Sequence, residues 1–247
     1  MNTYFNINYE FDKAEVHRQI EAAQKGYICV ADGVVMNTAN RNPEYLKVVN
    51  GSLFSICDSS WVPVYLKSIY GVKYEQYCGS EIFKDIISSR KYRMIFMGTS
   101  QATLDGLRNE LKKMNPDVER MQFVELPFRK VEDFDYPEIA KMIEEDGAKI
   151  IWVALGAPKQ ERFMNLLLPH LNQGVMLGVG AAFKFYSGTE ESRCPAWMQK
   201  CHLEFVYRIM QDPKKQLKRC FWILWTLPGL YLGEVKRARK AKKESKE

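Results

Sequence analysis

Short apolar runs rich in β-branched residues alternate along most of this chain with stretches whose apolar residues recur at helical spacing. The most constraining run is Ile150–Leu155, because every residue in it is apolar. A strand of this kind buries both of its faces, which is typical of a parallel sheet covered by helices. The alternation therefore predicts an α/β fold, a Rossmann-like, mostly parallel sheet with helices on both faces.

The same pattern places the individual elements. The predicted strands are Tyr27–Ala31, Val34–Asn37, Leu53–Cys57, Met94–Met97, Met121–Leu126, Ile150–Leu155 and Val175–Val179. The predicted helices between them are Glu15–Gln24, Trp61–Tyr70, Ser80–Ser88, Ala102–Met114, Pro137–Glu145 and Gln160–Leu171.

After about Pro195 the strand pattern stops and only helical patterns remain. The longest of these, Lys214–Lys240, is predicted to be interrupted at Pro228-Gly229. We therefore expect two parts, an α/β core over residues 1–192 and a C-terminal helical appendage over residues 193–247.

The charge is distributed unevenly between these two parts. Residues 193–247 hold 14 Lys/Arg and 5 Asp/Glu, whereas residues 1–192 hold 22 and 25. A basic tail of this kind indicates a polyanionic partner, either nucleic acid or the anionic inner face of a membrane. The apolar segment Cys220–Leu232 contains two Trp but is shorter than the ~20 residues of a spanning helix. It fits a helix that lies in the membrane interface.

The cysteines, the first ten residues and one acidic segment indicate the compartment of the protein and whether it binds a metal. The six cysteines form no C-x-x-C pair, and the first ten residues lack the basic start and apolar run of a secretory signal. We therefore expect a cytoplasmic protein. Asp133-Phe134-Asp135 has a metal-binding spacing, but Asp135 followed by Pro137 and Glu138 is more typical of a helix cap. No metal and no cofactor are predicted.

Polar residues and glycines follow the predicted strands, at the edge where open α/β sheets bind ligands. This set comprises Thr38, Asn40, Asp58, Gly98, Gly156, Lys159, Gln160 and Gly180. Gly98 indicates either a phosphate-binding turn or a simple tight turn. Lys159 opposes the dipole of the helix that it begins, which favours a functional role for it and for Gln160 over ordinary capping.

Asp58 has two interpretations. It is suited to be a general base that takes a proton from a sugar hydroxyl, or to be the N-cap of the helix beginning at Trp61. Thr38 and Asn40 could bind a sugar or only shape a turn before Pro43.

Two arginines of the appendage also have alternatives. Arg193 and Arg208 could clamp a diphosphate, or Arg208 could simply pair with Glu204 one helical turn away.

Together these residues resemble the WecG/TagA/CpsF glycosyltransferase family from about Tyr27 to Arg219. The resemblance lies in these motifs: Thr38-x-Asn40, Asp58, Ile150–Leu155 with Gly156-Ala-Pro-Lys-Gln-Glu161, Gly178-Val-Gly180 with Phe183 and Gly188, Arg193-x-Pro195-x-Trp197, and Leu203–Arg208 with Pro213.

The resemblance implies an inverting, metal-independent transferase in bacterial cell-surface polysaccharide synthesis. It would move an N-acetylhexosamine or its uronic acid from a UDP-sugar to a polyprenyl-diphosphate-linked sugar. It also implies that Asp58 is the base, that Thr38, Asn40 and Gln160 line the pocket, that Arg208 reaches the diphosphate, and that the tail docks on the inner face of the cell membrane. Nucleic acid is not an expected partner, and the sequence leaves a homo-oligomer open.

The chain departs from the family pattern at several positions. Lys184 stands where an aspartate is usual, Ala181 and Ser59 replace glycines, Cys194 replaces an alanine and Lys215 replaces an arginine. The change at Lys184 would suit a donor with an extra negative charge, or indicates that this position is not catalytic. The alternatives outside this class of enzyme are a nucleic-acid-binding module and a non-catalytic nucleotide-binding protein.

Overall fold

The computed structural model describes residues 2–188, 198, 204–211 and 213–244. Its strands are β1 (Asn2–Tyr4), β2 (Ile7–Tyr9), β3 (Lys25–Ala31), β4 (Phe54–Cys57), β5 (Met94–Gly98), β6 (Gln122–Val124), β7 (Ile150–Ala154) and β8 (Gly174–Gly178). They form one sheet in the order β1-β2-β4-β3-β8-β7-β5-β6. Only the β1–β2 hairpin is antiparallel among these strand pairs. The predicted mostly parallel sheet is confirmed.

The α-helices are α1 (Lys13–Ala22), α2 (Gly33–Arg41), α3 (Pro43–Asn50), α4 (Trp61–Tyr70), α5 (Gly79–Ser89), α6 (Gln101–Leu111), α7 (Tyr136–Asp146), α8 (Lys159–Leu167), α9 (Gly180–Ser187), α10 (Glu204–Gln211) and α11 (Pro213–Glu244). Short 3₁₀ helices cover Pro116–Arg120, Val131–Asp133 and Leu168–His170.

Strand β7 is buried on both faces, as its sequence predicts. Ile151 and Val153 belong to a core shared with α3, α7 and α8, whereas Ile150 and Trp152 belong to a second core shared with α1, α5, α6 and α9. In the second core the Trp152 ring lies 4.7 Å from that of Phe83. The two cores confirm that helices cover both faces of the sheet.

The prediction of a strand over Val34–Asn37 is wrong, because these residues lie in α2. The Asp32 carboxylate caps this helix by accepting hydrogen bonds from the amides of Val34 and Val35, both at 2.9 Å. A short apolar run does not by itself distinguish a buried helix from a strand. Thr38 and Asn40 therefore lie within a helix and do not follow a strand.

The long helix α11 continues through Pro228, so the predicted interruption there is also wrong. Leu227 and Leu230 on either side of the proline pack against the core, and this packing holds the helix where proline removes a hydrogen bond. Further along, the buried Glu234 carboxylate accepts hydrogen bonds from the Phe5 amide at 2.9 Å and the Tyr70 hydroxyl at 2.7 Å. The helix is thus anchored to the β1–β2 turn and to α4. The division at residue 193 stays a prediction.

Candidate active site

The parallel strands β4, β3, β8, β7 and β5 end at one edge of the sheet, where most of the predicted site residues gather. Asp58 directly follows β4, and its amide donates to the Ala31 carbonyl at the end of β3 at 3.2 Å. The Asp58 Oδ1 accepts a hydrogen bond of 2.7 Å from the amide of Gly79, the first residue of α5. A carboxylate at a helix N-terminus is stabilised in its charged form.

The expected alternative for Asp58, capping of the helix that begins at Trp61, is wrong. Ser60 occupies the N-cap position of α4, and the Asp58 carboxylate contacts α5 instead. The Asp58 carbonyl also accepts a 2.6 Å hydrogen bond from the Gln76 amide group, which fixes the segment between α4 and α5. Asp58 is thereby held at the carboxyl end of β4.

Gln160 joins the turns that follow β7 and β8. Its Oε1 accepts hydrogen bonds from the amides of Gly156 at 3.1 Å and Gly180 at 3.3 Å. Its Nε2 donates to the Gly178 carbonyl at 3.0 Å and to the Glu161 carboxylate at 2.9 Å. These four bonds use both amide hydrogens and both lone-pair directions of the carbonyl oxygen. The predicted pocket residue therefore serves to hold two turns together.

Glu161 lies in the quoted motif, but the sequence assigned it no role of its own at the candidate site. Its carboxylate is completely buried and accepts a 2.9 Å hydrogen bond from the hydroxyl of the buried Tyr45. Burial raises the pKa of Glu161 to about 7, while the hydrogen bonds from Gln160 and Tyr45 oppose that rise. The available signal was the spacing of Glu161 from Met164, since it puts the carboxylate on the buried face of α8.

Lys159, in contrast, lies at the surface beside a pocket that the sequence did not indicate. Its Nζ donates to the Arg129 carbonyl at 2.5 Å and lies 5.3 Å from the centre of the Phe128 ring. Phe128 is fully exposed. The pocket has a volume of about 540 Å³ and is lined by Phe128, Arg129, Lys130, Val131, Glu132, Pro158, Lys159 and Arg162. An exposed aromatic ring among cations is suited to a planar, anionic ligand.

The predicted site glycines Gly98 and Gly180 let neighbouring backbone segments approach each other closely. Gly98 has a φ of +108°, and a Cβ atom there would lie 2.5 Å from the Ala154 carbonyl oxygen. A Cβ atom at Gly180 would lie 3.0 Å from the Gln160 Oε1 and 3.2 Å from the Gly156 amide nitrogen. These positions thus bring neighbouring turns together at the edge.

Asn40 is turned toward the N-terminal hairpin. Its Nδ2 donates to the carbonyls of Phe5 and Met36, both at 2.9 Å, and its Oδ1 accepts from Asn6 at 2.8 Å. Thr38 lies on the same helix, where its carbonyl accepts from the Asn42 amide. The structure gives Asn40 a role in attaching β1 and β2; sugar binding by Thr38 and Asn40 stays a prediction.

The remaining candidate residues are two arginines near the C-terminus and the acidic segment around Asp135. Arg193 lies outside the described residues, and Arg208 lies in α10. The Asp135 Oδ1 accepts from the Glu138 amide at 3.1 Å, which confirms the helix-cap interpretation of that segment. Within the described residues, no group of three or more His, Cys, Asp or Glu side chains is arranged to hold a metal ion.

The part of α11 around Trp222 lies against α2, close to the carboxyl end of β3. The Trp222 carbonyl accepts a 2.9 Å hydrogen bond from the buried Asn37, and the Arg41 guanidinium lies 4.2 Å from the Trp222 ring. Among the described side chains of α11, five large apolar ones are more than half exposed, namely Leu217, Phe221, Leu224, Trp225 and Leu232. None of the helices in the described ranges is long and apolar enough to cross a membrane.

The α/β fold and this edge are those of a protein that binds its ligand at the carboxyl ends of parallel strands, and comparison with known families identifies the class of enzyme. The model of the glycosyl transferase WecG/TagA/CpsF family matches residues 4–243, so the chain belongs to this family and is a glycosyltransferase.

Curated relatives of the chain include three that share one name and activity. They are the N-acetylglucosaminyldiphosphoundecaprenol N-acetyl-β-D-mannosaminyltransferases of Bacillus subtilis strain 168, Bacillus spizizenii and Staphylococcus aureus strain MW2. The first is 24% identical over 78% of this chain and 78% of its own. The second is 25% identical over 76% and 72%, and the third 23% identical over 76% and 73%.

Proposed function

We propose that the enzyme transfers an N-acetylhexosamine or a hexosaminuronic acid from a UDP-sugar to a polyprenyl-diphosphate-linked sugar in bacterial cell-surface polysaccharide synthesis. The observation that carries the proposal is the position of Asp58, at the carboxyl end of β4 and in the same edge as the Gly156 and Gly180 turns. The relatives named above transfer an N-acetylmannosaminyl group to such a lipid-linked acceptor. Their shared activity supports this class of substrates.

The nucleotide part of the donor fits the pocket beside Lys159. The exposed Phe128 ring offers a surface on which a base can stack, and Arg129, Lys130, Lys159 and Arg162 supply positive charge for a diphosphate. Strand β7 lies next to this pocket, and β4 precedes Asp58. These two strands are three strand spacings apart in the sheet, or roughly 14 Å. A nucleotide sugar lying along the edge would span this distance.

Asp58 would act as the general base of a direct displacement. The acceptor hydroxyl oxygen forms a bond to the anomeric carbon as the bond from that carbon to the UDP oxygen breaks, and the hydroxyl proton passes to the Asp58 carboxylate. Attack from the side opposite to UDP inverts the anomeric configuration. The negative charge that develops on UDP is stabilised by the cations of the pocket and by the N-terminus of α8, so we propose that no metal is needed.

The acceptor is anchored in a membrane, and α11 offers a means to reach it. Its exposed Leu217, Phe221, Leu224 and Trp225 belong to a strongly basic segment. An apolar face flanked by basic residues favours the interface of an anionic membrane. We propose peripheral association with the cytoplasmic face, where the Arg193 and Arg208 motifs of the same segment would meet the lipid diphosphate.

The test is UDP release by the full chain with a panel of UDP-N-acetylhexosamines and UDP-hexosaminuronic acids. Each donor is assayed with and without a short polyprenyl-diphosphate-linked GlcNAc, in EDTA or in Mg²⁺. The proposal predicts release from at least one donor that requires the acceptor and persists in EDTA. Release that requires Mg²⁺ would contradict the metal-independent mechanism, and release that is unaffected by the acceptor would contradict the proposed transfer.

A further inference from the structure

The orientation of the Gln160 side-chain amide depends on its four partners. The Gly178 carbonyl and the Glu161 carboxylate accept from its Nε2, and the Gly156 and Gly180 amides donate to its Oε1. If the amide were flipped, it would place an oxygen against two acceptors and an NH₂ group against two donors. An ionised Glu161 is the partner that penalises this flip most, because a carboxylate accepts hydrogen bonds and cannot donate one.

Glu161 is held from a second element as well. Tyr45 on α3 donates its hydroxyl to Glu161 Oε2 at 2.9 Å, and burial raises the pKa of Tyr45 well above its ordinary value, which keeps the hydroxyl protonated. The carboxylate thus receives side-chain donors from both α3 and α8. Both donors fit an ionised carboxylate.

The two turns joined by Gln160 are in direct contact. A Cβ atom at Gly180 would lie 3.3 Å from the Gly156 Cα, and the turns lead into the N-termini of α8 and α9. A change in the Gln160 amide therefore changes how these two N-termini sit relative to each other. Under the proposed function, the α8 N-terminus is part of the surface that receives the donor diphosphate.

We infer that Glu161 is a positioning residue, which acts through Gln160 to hold the Gly156 and Gly180 turns in the arrangement that binds the diphosphate of the donor. The inference rests on the proposed function for its ligand. Glu161 itself is completely buried, so the inference gives it no direct contact with the substrate.

The protonation state of Glu161 makes the inference testable by pH. The groups that face its carboxylate are Tyr45 on α3, Gln160 on α8, Asp32 between β3 and α2, and Tyr27 and Cys29 on β3. With a pKa of about 7, the carboxyl gains a proton as the pH falls below neutrality. That proton then competes with the donors Tyr45 and Gln160, and the Gln160 amide loses its preferred orientation.

The experiment compares wild type with Glu161→Gln and Tyr45→Phe, with Glu44→Gln on the exposed side of α3 as the matched control. Two quantities are measured from pH 5.5 to pH 8.5. One is the UDP dissociation constant by calorimetry. The other is hydrogen-exchange protection of the peptides around Gly156 and Gly180, corrected for the intrinsic rate at each pH.

In wild type and the control, we expect UDP affinity and protection to fall together as the pH drops through about 7. Glu161→Gln should bind UDP roughly tenfold more weakly at pH 8, because it has lost a hydrogen bond to a charged group. Its protection should not change with pH, and its UDP affinity should keep only the pH dependence that protonation of the terminal UDP phosphate causes. In Tyr45→Phe the transition should move to higher pH, since the lost donor had favoured the ionised form. Tyr45→Phe also retains the carboxylate, so it provides the test if Glu161→Gln does not fold.

Wild-type protection and pH dependence in Glu161→Gln, or a transition that does not move in Tyr45→Phe, would overturn the inference. A pH-dependent change of protection without UDP binding in any of the proteins would instead contradict the proposed donor and leave the positioning of the turns supported. Hydrogen exchange needs no ligand, so the two failures are distinguishable.

Discussion

At the scale of single residues, the motif Gly156-Ala-Pro-Lys-Gln-Glu161 predicted where polar residues lie in the fold, but not which way their side chains point. The sequence placed Gln160 and Glu161 at the end of a buried strand, and the structure confirms this location. It did not determine which way each side chain of the motif points. That direction depends on the packing of α8 against α3 and β8, so Lys159 reaches the surface pocket whereas Gln160 and Glu161 point inward.

Glu161 makes the free energy of unfolding of the protein depend on pH. Burial raises the pKa of its carboxyl group from 4.5 to about 7 on folding, so the stability that the group contributes is fully present below pH 4.5 and is lost as the pH rises through 7. Glu161→Gln removes this titration. From pH 5 to pH 8 we expect wild type to lose about 2–3 kcal/mol relative to the variant in urea unfolding. A difference between the two proteins that stays constant with pH would contradict this origin of the pKa shift.

Gly98 offers a test of the backbone geometry at the edge. In Gly98→Ala the new Cβ atom would meet the Ala154 carbonyl oxygen at a φ of +108°, and we expect a loss of about 3 kcal/mol in the free energy of unfolding. Gly147→Ala is the control, because Gly147 also has a positive φ but open space around it. Its expected loss is about 1 kcal/mol. Equal losses in urea denaturation would show that the contact with β7 is unimportant.

At the scale of elements, the sequence predicted well those strands and helices that have clear boundaries. Trp61–Tyr70 was predicted with the bounds that the structure has, and β7 within one residue. The errors fall where a local pattern is ambiguous. Val34–Asn37 is as apolar as a strand, but the Asp32 cap and the contact of Asn37 with α11 favour a helix. The hairpin β1–β2 was missed because each of its strands has only three residues.

Helix α11 is the element on which membrane association depends. The double variant Leu224→Ser/Trp225→Ser removes two exposed apolar side chains without disturbing the buried face of the helix. We expect it to reduce binding to anionic vesicles by roughly 10²–10⁴-fold in co-sedimentation, because each of the two side chains contributes about 1.5–3 kcal/mol when it leaves water. Phe128→Ser, which removes an exposed ring far from α11 in sequence, should bind vesicles as wild type does. Equal loss in both proteins would contradict docking through α11.

At the scale of the whole molecule, the fold class and the convergence of the candidate site residues at one sheet edge followed from the sequence. Parallel strands bring the residues after them to one edge, so Asp58, Gly98, Gly156 and Gly180 were expected to converge there before any coordinates were considered. The pocket beside Phe128 was not foreseen. It forms where the chain after β6 meets the start of α8, and that contact depends on tertiary packing between segments about 30 residues apart.

The central claim is that Asp58 is the base of a glycosyl transfer at this edge, and one comparison tests it most directly. UDP release that depends on the lipid-linked acceptor is measured in EDTA for wild type, Asp58→Asn and the surface control Asp105→Asn, together with UDP binding by each protein. We predict that kcat of Asp58→Asn falls by roughly 10²–10⁴-fold while UDP binding changes little, and that Asp105→Asn behaves as wild type. Wild-type turnover by Asp58→Asn would contradict the assignment of Asp58 as the base.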